Sequence, residues 1–265
     1  MQFYIKKIYD AFVGVGNWAI LFAQTIWVSL KRPPSWNLIL DQLYNIGVLS
    51  LPVVAITGFS TGLVLAAQSF YQLGDKGLAS ATGLFVGTGM LTEIGPILTA
   101  FMVTGRVGSA MTAVLGTMCV TEQIDGLKSM AVDPLRYLVA PRIIGSILML
   151  PALTVFSGVM GIFGGYLISV FFFGMTPQGY FDPIPAHVSH FDFWTGIIKA
   201  FFFGLTISTI ACYKGLTTKG GAAGVGRATT NSVVICYSYI LIFNFLLTMG
   251  LNIAHVTLAE KFGIK

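Results

Sequence analysis

Long stretches almost free of charge recur along the chain and predict membrane-spanning helices. Five of them hold at most one charged side chain each: 42–74, 77–105, 143–181, 193–213 and 228–259. A helix needs about 20 predominantly apolar residues to cross a bilayer. The pattern therefore predicts five spans, over 46–71, 82–104, 145–171, 193–213 and 231–252. The uncharged segment 107–121 is short for a separate span; it either continues the second helix or forms a helix buried against its neighbours.

The N-terminal stretch, residues 1–34, predicts a helix that lies along the membrane interface. Four polar residues recur every seven positions and form one narrow stripe: Asp10, Asn17, Gln24 and Lys31. Both flanks are basic, with Lys6 and Lys7 before the helix and Lys31 and Arg32 at its end. Basic flanks favour the cytoplasm, and an interfacial helix can keep both ends there, whereas a spanning helix cannot.

The distribution of basic residues predicts the orientation. With five spans and a cytoplasmic N-terminus, eleven of the 15 Lys and Arg residues fall inside, three fall outside, and Lys199 lies within a span. Such an excess of cytoplasmic cations is typical of membrane proteins. We therefore expect the C-terminal tail, 253–265, to lie outside.

Composition excludes several classes of protein. Hydrophobic residues make up 55% of the 265 residues and charged residues 9%, against about a quarter charged in soluble domains. A soluble enzyme or a disordered chain would need more charge. The net charge of +5 forms no dense basic patch, so we expect no nucleic-acid partner. The chain is expected to be a single all-α membrane domain over 1–265, with a transmembrane core at 46–252.

The connection 121–142 carries an unusual density of charge for this chain: Glu122, Asp125, Lys128, Asp133, Arg136 and Arg142. Its first half predicts a short amphipathic helix, which Asp133-Pro134 ends. Two interpretations stay open. The segment is either a solvated loop whose charges set topology, or a helix that docks a cytoplasmic partner.

The run EQIDGLKSMAVDPLRYLVAPR at 122–142 resembles the signature of MlaE-type permeases, the membrane subunits of bacterial ABC transporters that move phospholipids. Three more runs are similar to that family: DQLYNIGVLSLPVV at 41–54, LTEIGPILTAFMVTGRVGSAMTA at 91–113, and GRATTNSVV at 226–234. The resemblance covers roughly 40–252.

The resemblance implies a homodimer in the bacterial inner membrane, with an N-terminal interfacial helix and five spans in each subunit. It implies three further partners: an ABC ATPase, a periplasmic MCE-domain protein and, in many family complexes, a small STAS-domain protein. Phospholipid would bind between the two permease subunits. The segment 121–142 would hold the coupling helix, which contacts the ATPase subunit. The residues expected to make this contact are Glu122, Gln123, Asp125, Leu127, Met130, Asp133 and Arg136.

ATP hydrolysis is expected in the separate ATPase, which would bind ATP and Mg²⁺. The glycine-rich run from Gly221 to Ala228 has Arg227 and Ala228 where a phosphate-binding loop needs Lys and Ser or Thr. We expect this run to form a flexible cytoplasmic turn and the chain to hold no cofactor.

Glu93 lies in the middle of the second span. A carboxylate there costs about 2.5 kcal/mol or more unless it faces water, a partner or a cavity. It is either a structural group hydrogen-bonded between helices or a cavity residue on the substrate path. Gly95-Pro96 should bend the helix beside it. Relatives often carry Arg before this Glu, and this chain carries Thr92 instead.

Other polar residues within spans extend the candidate cavity. Lys199 either extends to the outer surface or meets Glu93 or a lipid phosphate in the cavity; the resemblance places a Lys near the periplasmic mouth. Asn244, where some relatives carry Asp, serves either a polar pocket or helix–helix hydrogen bonding. Gln68 and Thr92 complete the predicted cavity set. His187 and His190 could share one helical face, but a contact with the MCE partner is a better interpretation than a metal site.

Three functions stay open at this point. The chain is a phospholipid ABC permease, a proton-coupled secondary transporter that uses Glu93 as a relay, or a structural anchor for the MCE protein. The secondary transporter would leave the charged 121–142 segment without a purpose.

Overall fold

The structure is a computed structural model that describes residues 2–31, 33–74 and 78–262. Arg32, Lys76 and Lys265, which enter the charge count, lie outside the described residues, as do the side chains of residues 1–15, Leu30 and 258–265. The helices are α1 Gln2–Lys31, α2 Trp36–Ile46, α3 Leu51–Gly74, α4 Thr82–Gly89, α5 Gly95–Val103, α6 Ser109–Val120, α7 Gln123–Ser129, α8 Ala140–Phe171, α9 Pro177–Phe181, α10 Pro183–His187, α11 His190–Leu216 and α12 Gly221–Phe262.

Five helical segments in the described part of the chain are long and apolar enough to cross a membrane: Trp36–Gly74, Ala79–Val120, Leu135–Phe171, His190–Leu216 and Gly221–Thr257. Each contains one predicted span, so the number and order of the spans are confirmed. The helices run well beyond the predicted limits, because hydropathy marks only the apolar part and a polar end can remain helical in water. Segment 107–121 proves to be the continuation of the second helix, the first of the two predicted alternatives.

The chain forms two compact units, each built from three stretches of sequence. The first unit contains Met1–Asn45, Thr104–Ser146 and Leu205–Cys236, and the second contains Ile46–Val103, Ile147–Gly204 and Tyr237–Lys265. The N-terminal helix α1 and the charged connection belong to the first unit. Glu93, Lys199 and Asn244 all belong to the second.

Within the first unit, buried polar contacts join helices. The Thr112 hydroxyl of α6 lies 3.0 Å from the hydroxyl oxygen of Ser232 and 3.1 Å from the carbonyl oxygen of Ala211. Gly215 lies so close to α6 that a Cβ there would press against Leu115. The contacts of Thr112 pair polar groups that the bilayer would leave unpaired, and Gly215 allows the two helices to approach closely.

Within the second unit, glycines allow α3 and α8 to pack backbone to backbone. A Cβ on Gly62 would overlap the backbone of Gly161, and one on Gly164 would overlap the Phe59 carbonyl group. The spacings Gly58-x-x-x-Gly62 and Gly161-x-x-x-Gly165 therefore serve packing inside one chain.

Tyr180 of α9 anchors the loop before α11. Its hydroxyl donates a hydrogen bond to the Ile162 carbonyl oxygen at 3.1 Å, and its ring is fully buried. Burial raises the pKa of this phenol above its usual range. Gly83 is required beside it, because a Cβ at position 83 would overlap the Tyr180 carbonyl group.

Two π-helical turns precede prolines. Met90–Ile94 lies just before Pro96, and Leu135–Val139 lies just before Pro141. Proline has no N–H to donate to the carbonyl four residues back, so the α-helical hydrogen-bond pattern cannot continue unchanged. In both turns, the N–H of the residue just before the proline donates to the carbonyl oxygen five residues back: Gly95 donates to Met90, and Ala140 donates to Leu135.

The prediction of a flexible turn at the glycine-rich run is wrong. Gly221 already begins α12, and the run up to Ala228 is helical. At the start of the run, Gly220 and Gly221 have φ values of +92° and +65°, in the left-handed region that favours glycine. Gly224 is needed because a Cβ there would overlap the Lys219 carbonyl group. The glycines here allow the first turn of α12 to lie close to the backbone of the preceding residues.

Candidate functional site

Glu93 lies in the π turn Met90–Ile94 of the second span, and this turn shapes its surroundings. Pro96 lacks the N–H that would bond the Thr92 carbonyl oxygen in an α-helix. That oxygen instead accepts a hydrogen bond from Lys199 Nζ at 3.0 Å. The Gly95-Pro96 signal thus identified a real irregularity, and its consequence is a backbone acceptor beside the carboxylate.

Lys199 of α11 forms an ion pair with Glu93. Its Nζ lies 2.5 Å from Glu93 Oε1, and the lysine side chain is completely buried while the glutamate side chain is 36% exposed. Extension of Lys199 to the outer surface, one of the two alternatives, is therefore wrong. The contact with Glu93 that the other alternative expected is present, and the place of Lys199 in a substrate cavity stays a prediction. The pair is formally neutral, so neither charge is left unpaired in the membrane.

Two residues of α12 complete the coordination of the carboxylate. Asn244 Nδ2 donates to Glu93 Oε2 at 3.0 Å, and the Thr248 hydroxyl lies 3.0 Å from Oε1. That hydroxyl also lies 2.8 Å from the Asn244 carbonyl oxygen. A threonine has one hydroxyl proton, so it donates to one of these acceptors at a time. Asn244 thus makes a helix–helix hydrogen bond, and its place in a substrate cavity stays a prediction.

The sequence analysis did not single out Thr248 as a site residue. Threonines are common in this chain, and one in an apolar helix usually bonds the carbonyl four residues back, as Thr248 does. Its spacing from Asn244 was the available signal, because residues four apart share a helix face. Four side chains from three spans thus meet at one point: Glu93, Lys199, Asn244 and Thr248.

One polar atom at this point is unsatisfied. Asn244 Oδ1 is buried and lacks a hydrogen-bond partner among the described residues. It is an acceptor next to the carboxylate, and a buried acceptor without a partner is uncommon in folded proteins.

The remaining predicted cavity residues are placed differently. Thr92 contributes its carbonyl oxygen, while its hydroxyl donates to the Thr88 carbonyl oxygen at 2.8 Å. Gln68 is exposed on α3 and is not part of the Glu93 cluster as the structure describes it. Its assignment to the cavity stays a prediction.

The charged connection contains the predicted short helix, α7. Ile124 is buried, Leu127 is half-buried and Met130 is 67% exposed. Of these three apolar residues, Ile124 alone is fully covered by the described part of the chain. Glu122, with φ of +59°, lies just before α7, and Gln123 opens the helix. Both are exposed.

Charged residues of this connection fall into two groups. Asp125 accepts a hydrogen bond from Lys128 Nζ at 2.8 Å on the exposed surface, and this bond raises the pKa of Lys128. Asp133 and Arg136 instead bind backbone groups. Asp133 Oδ1 accepts from the Leu135 N–H at 2.9 Å, and Arg136 Nη2 donates to the Pro33 carbonyl oxygen at 3.1 Å. Arg136 thus ties the connection to the end of the N-terminal segment.

The two histidines do not share a helix face. His187 ends α10 and His190 begins α11, with an extended residue between them. Within the described residues, His, Cys, Asp and Glu form no group of three that could hold a metal ion.

Comparison with known proteins agrees with this architecture. The family described as Permease MlaE matches residues 39–250. The chain belongs to the MlaE permease family. The match includes the Glu93 cluster and the whole charged connection, and its limits lie close to the 40–252 expected from the motifs.

Curated relatives cover nearly the same range. A "Probable ABC transporter permease protein" of Rickettsia conorii is 41% identical over 236 residues, which cover 89% of this chain and 91% of the relative. The "Intermembrane phospholipid transport system permease protein MlaE" of Haemophilus influenzae is 32% identical over 244 residues, covering 92% and 94%. The chloroplastic protein TRIGALACTOSYLDIACYLGLYCEROL 1 of Arabidopsis thaliana is 35% identical over 86% of this chain and 65% of its own length. This MlaE family member is thus a multi-pass membrane protein similar to ABC transporter permeases.

Proposed function

We propose that this chain is the permease subunit of an ABC transporter that moves phospholipids between the bacterial inner membrane and a periplasmic MCE-domain protein. The observation that carries the proposal is the polar cluster of Glu93, Lys199, Asn244 and Thr248 in the middle of apolar helices. Intramembrane ionisable groups of this kind mark substrate pathways. The name of the Haemophilus influenzae relative supports phospholipid as the substrate class.

The cluster suits a substrate with an ionic headgroup and apolar chains. Its ion pair is neutral, so it attracts neither phosphate nor amine strongly enough to trap it. Glu93 is partly exposed, so water or a headgroup donor can reach its carboxylate. In a homodimer, two such clusters would line the cavity, together with Thr92 and Gln68.

Energy would come from ATP hydrolysis in a separate subunit. The exposed residues of α7 and its flanks, among them Glu122, Asp125 and Met130, offer a surface for that ATPase. The chain itself is proposed to be non-catalytic, with ATP and Mg²⁺ held by the partner. A STAS-domain protein bound to the ATPase would complete the assembly.

Reconstitution tests this proposal. Complexes that contain the wild-type chain should transfer phospholipid in an ATP-dependent manner, with no requirement for a proton gradient. Glu93→Lys places a second cation beside Lys199 and should reduce transfer at least about tenfold, corresponding to about 1.4 kcal/mol in a barrier. Glu93→Gln should impair it less. Transfer driven by a proton gradient without ATP would identify a secondary transporter instead.

The orientation needs its own test. We expect the two termini on opposite sides of the membrane, with the N-terminus in the cytoplasm and the C-terminus in the periplasm. A Tyr4→Cys variant should react only with a thiol reagent added from the cytoplasmic side, and Leu258→Cys only from outside. Reaction of both from the same side would contradict the five-span arrangement with an interfacial α1.

A further inference from the structure

A groove lies in the first unit, between the end of α1, the start of α2 and the chain that follows α7. Its volume is about 560 Å³, within the range of about 300–1,000 Å³ that small-molecule sites occupy. Its lining consists of Trp27, Val28, Lys31, Pro34, Ser35, Leu38, Ala131, Val132, Asp133, Arg136 and Tyr137. None of these residues belongs to the Glu93 cluster.

The groove carries two cations and one anion. Asp133 already accepts a backbone hydrogen bond from Leu135, and Arg136 uses one guanidinium nitrogen on the Pro33 carbonyl oxygen. A guanidinium has five N–H donors, so several remain for a ligand. Lys31 Nζ lies 6.0 Å from the centre of the Trp27 ring. The groove therefore offers an excess of positive charge with donors suited to a phosphate group.

Apolar and aromatic side chains form the rest of the lining. Val28, Leu38 and Val132 provide apolar walls, and Trp27 and Tyr137 are 67% and 46% exposed. Exposed Trp and Tyr beside Lys and Arg are typical of the boundary between lipid headgroups and acyl chains. A water-soluble anion would not need these walls, whereas a phospholipid has an apolar glycerol ester region directly below its phosphate.

We propose that this groove binds the headgroup of an anionic phospholipid from the membrane leaflet that contacts α1. Arg136 and Lys31 hold the phosphate, Trp27 and Tyr137 lie at the headgroup level, and Val28 and Leu38 contact the upper acyl chains. The bound lipid connects the N-terminal helix with the chain after α7. This goes beyond the proposed function, because the lipid serves as a fixed ligand of the permease and is not its transported substrate.

Trp27 provides a direct reporter. The chain contains four tryptophans, so a full-length variant with Trp18→Phe, Trp36→Phe and Trp194→Phe leaves Trp27 alone. It is reconstituted in phosphatidylcholine nanodiscs that contain increasing fractions of either dibrominated phosphatidylglycerol or dibrominated phosphatidylcholine. Bromine quenches tryptophan on contact. Half-maximal quenching should need about fivefold less of the anionic lipid, the effect of about one cation at a membrane surface.

Variants locate the effect in the groove. Arg136→Gln and Lys31→Gln should each reduce the preference for phosphatidylglycerol about fivefold, whereas Arg136→Lys should preserve most of it. The matched control is Lys128→Gln, which removes the same charge from exposed α7 outside the groove and should leave the preference intact. Unchanged Trp27 emission without brominated lipid and unchanged gel-filtration volume show that a variant has folded.

Three results would overturn the proposal. Equal quenching by the two lipids would show that the groove does not select an anionic headgroup. Loss of preference in Lys128→Gln as well as in Arg136→Gln would show a general surface-charge effect. Suppression of the quenching by millimolar inorganic phosphate, with no such effect from equal chloride, would assign the groove to free phosphate.

Discussion

Glu93→Gln should destabilise the protein more than Lys199→Met, although each change removes one charge of the same ion pair. Lys199 is completely buried, and its described acceptors are Glu93 and the Thr92 carbonyl oxygen. Without the carboxylate it stays a buried cation with neutral acceptors. Glu93 without Lys199 keeps the donors of Asn244 and Thr248, and its side chain is 36% exposed at the surface of the single chain, so it is less enclosed than the lysine.

The magnitudes follow from the geometry. At 2.5 Å and an effective dielectric constant of about 20, the attraction is about 7 kcal/mol, most of which offsets desolvation. Removing one partner of a buried pair costs about 3–5 kcal/mol, and we expect Glu93→Gln in that range. We expect Lys199→Met to cost about 1–2 kcal/mol, because the remaining carboxylate is still hydrogen-bonded. The double variant leaves no charge and should lie within about 1 kcal/mol of the wild type.

Thermal unfolding in detergent micelles measures this difference. At about 2–4 °C per kcal/mol for a chain of this size, Glu93→Gln should lower the midpoint by about 10 °C and Lys199→Met by about 5 °C or less. Lys214→Met, which removes a lysine from the last turn of the same helix, is the control and should shift it by about 2 °C or less. Equal effects of the two single changes, or a double variant as unstable as their sum, would refute the reasoning.

Three further predictions concern other parts of the chain. Charge reversal of Glu122 together with Asp125 should reduce co-purification of the ATPase while the permease stays folded; full ATPase binding and transport would contradict the docking role. Thr248→Val should lower the unfolding midpoint and lipid transfer, whereas Thr257→Val should not, because both hydroxyls bond the carbonyl four residues back and only Thr248 reaches Glu93; equal effects would argue against a role for the hydroxyl. Burial raises the pKa of Tyr180, so above about pH 10 the unfolded state ionises first and stability falls with rising pH; Tyr180→Phe should cost about 1 kcal/mol at neutral pH and make this fall shallower, and an unchanged pH profile would exclude Tyr180 as its source.

The N-terminal helix and the helical connection illustrate what local pattern can predict. Periodicity of polar residues indicated a helix before Lys31, and α1 ends there. The amphipathic pattern in the first half of 121–142 indicated a short helix, and α7 lies there. Both signals arise within a few turns of one helix, so no distant part of the chain is needed to recognise them.

Local sequence pattern could not predict which side chains of different helices contact each other. The sequence allowed Lys199 either to extend outward or to meet Glu93, because both are compatible with a lysine in a span. Packing of α11 against the second span decides it, since a fully buried ammonium group must have an acceptor. Thr248 entered the site for the same reason: its helix brings it to a carboxylate 155 residues away in the chain.

The sequence by itself determined the five apolar spans, the helical class, the family motifs and the identity of the ionisable residues inside the membrane, because these depend on composition and on spacing along one helix. Tertiary structure alone decided that Lys199 meets Glu93 and the Thr92 carbonyl oxygen, that two residues of α12 bind the same carboxylate, and that Arg136 lines a groove beside α1. These are contacts between segments far apart in the chain. Their formation depends on how helices pack, a property of the whole folded protein.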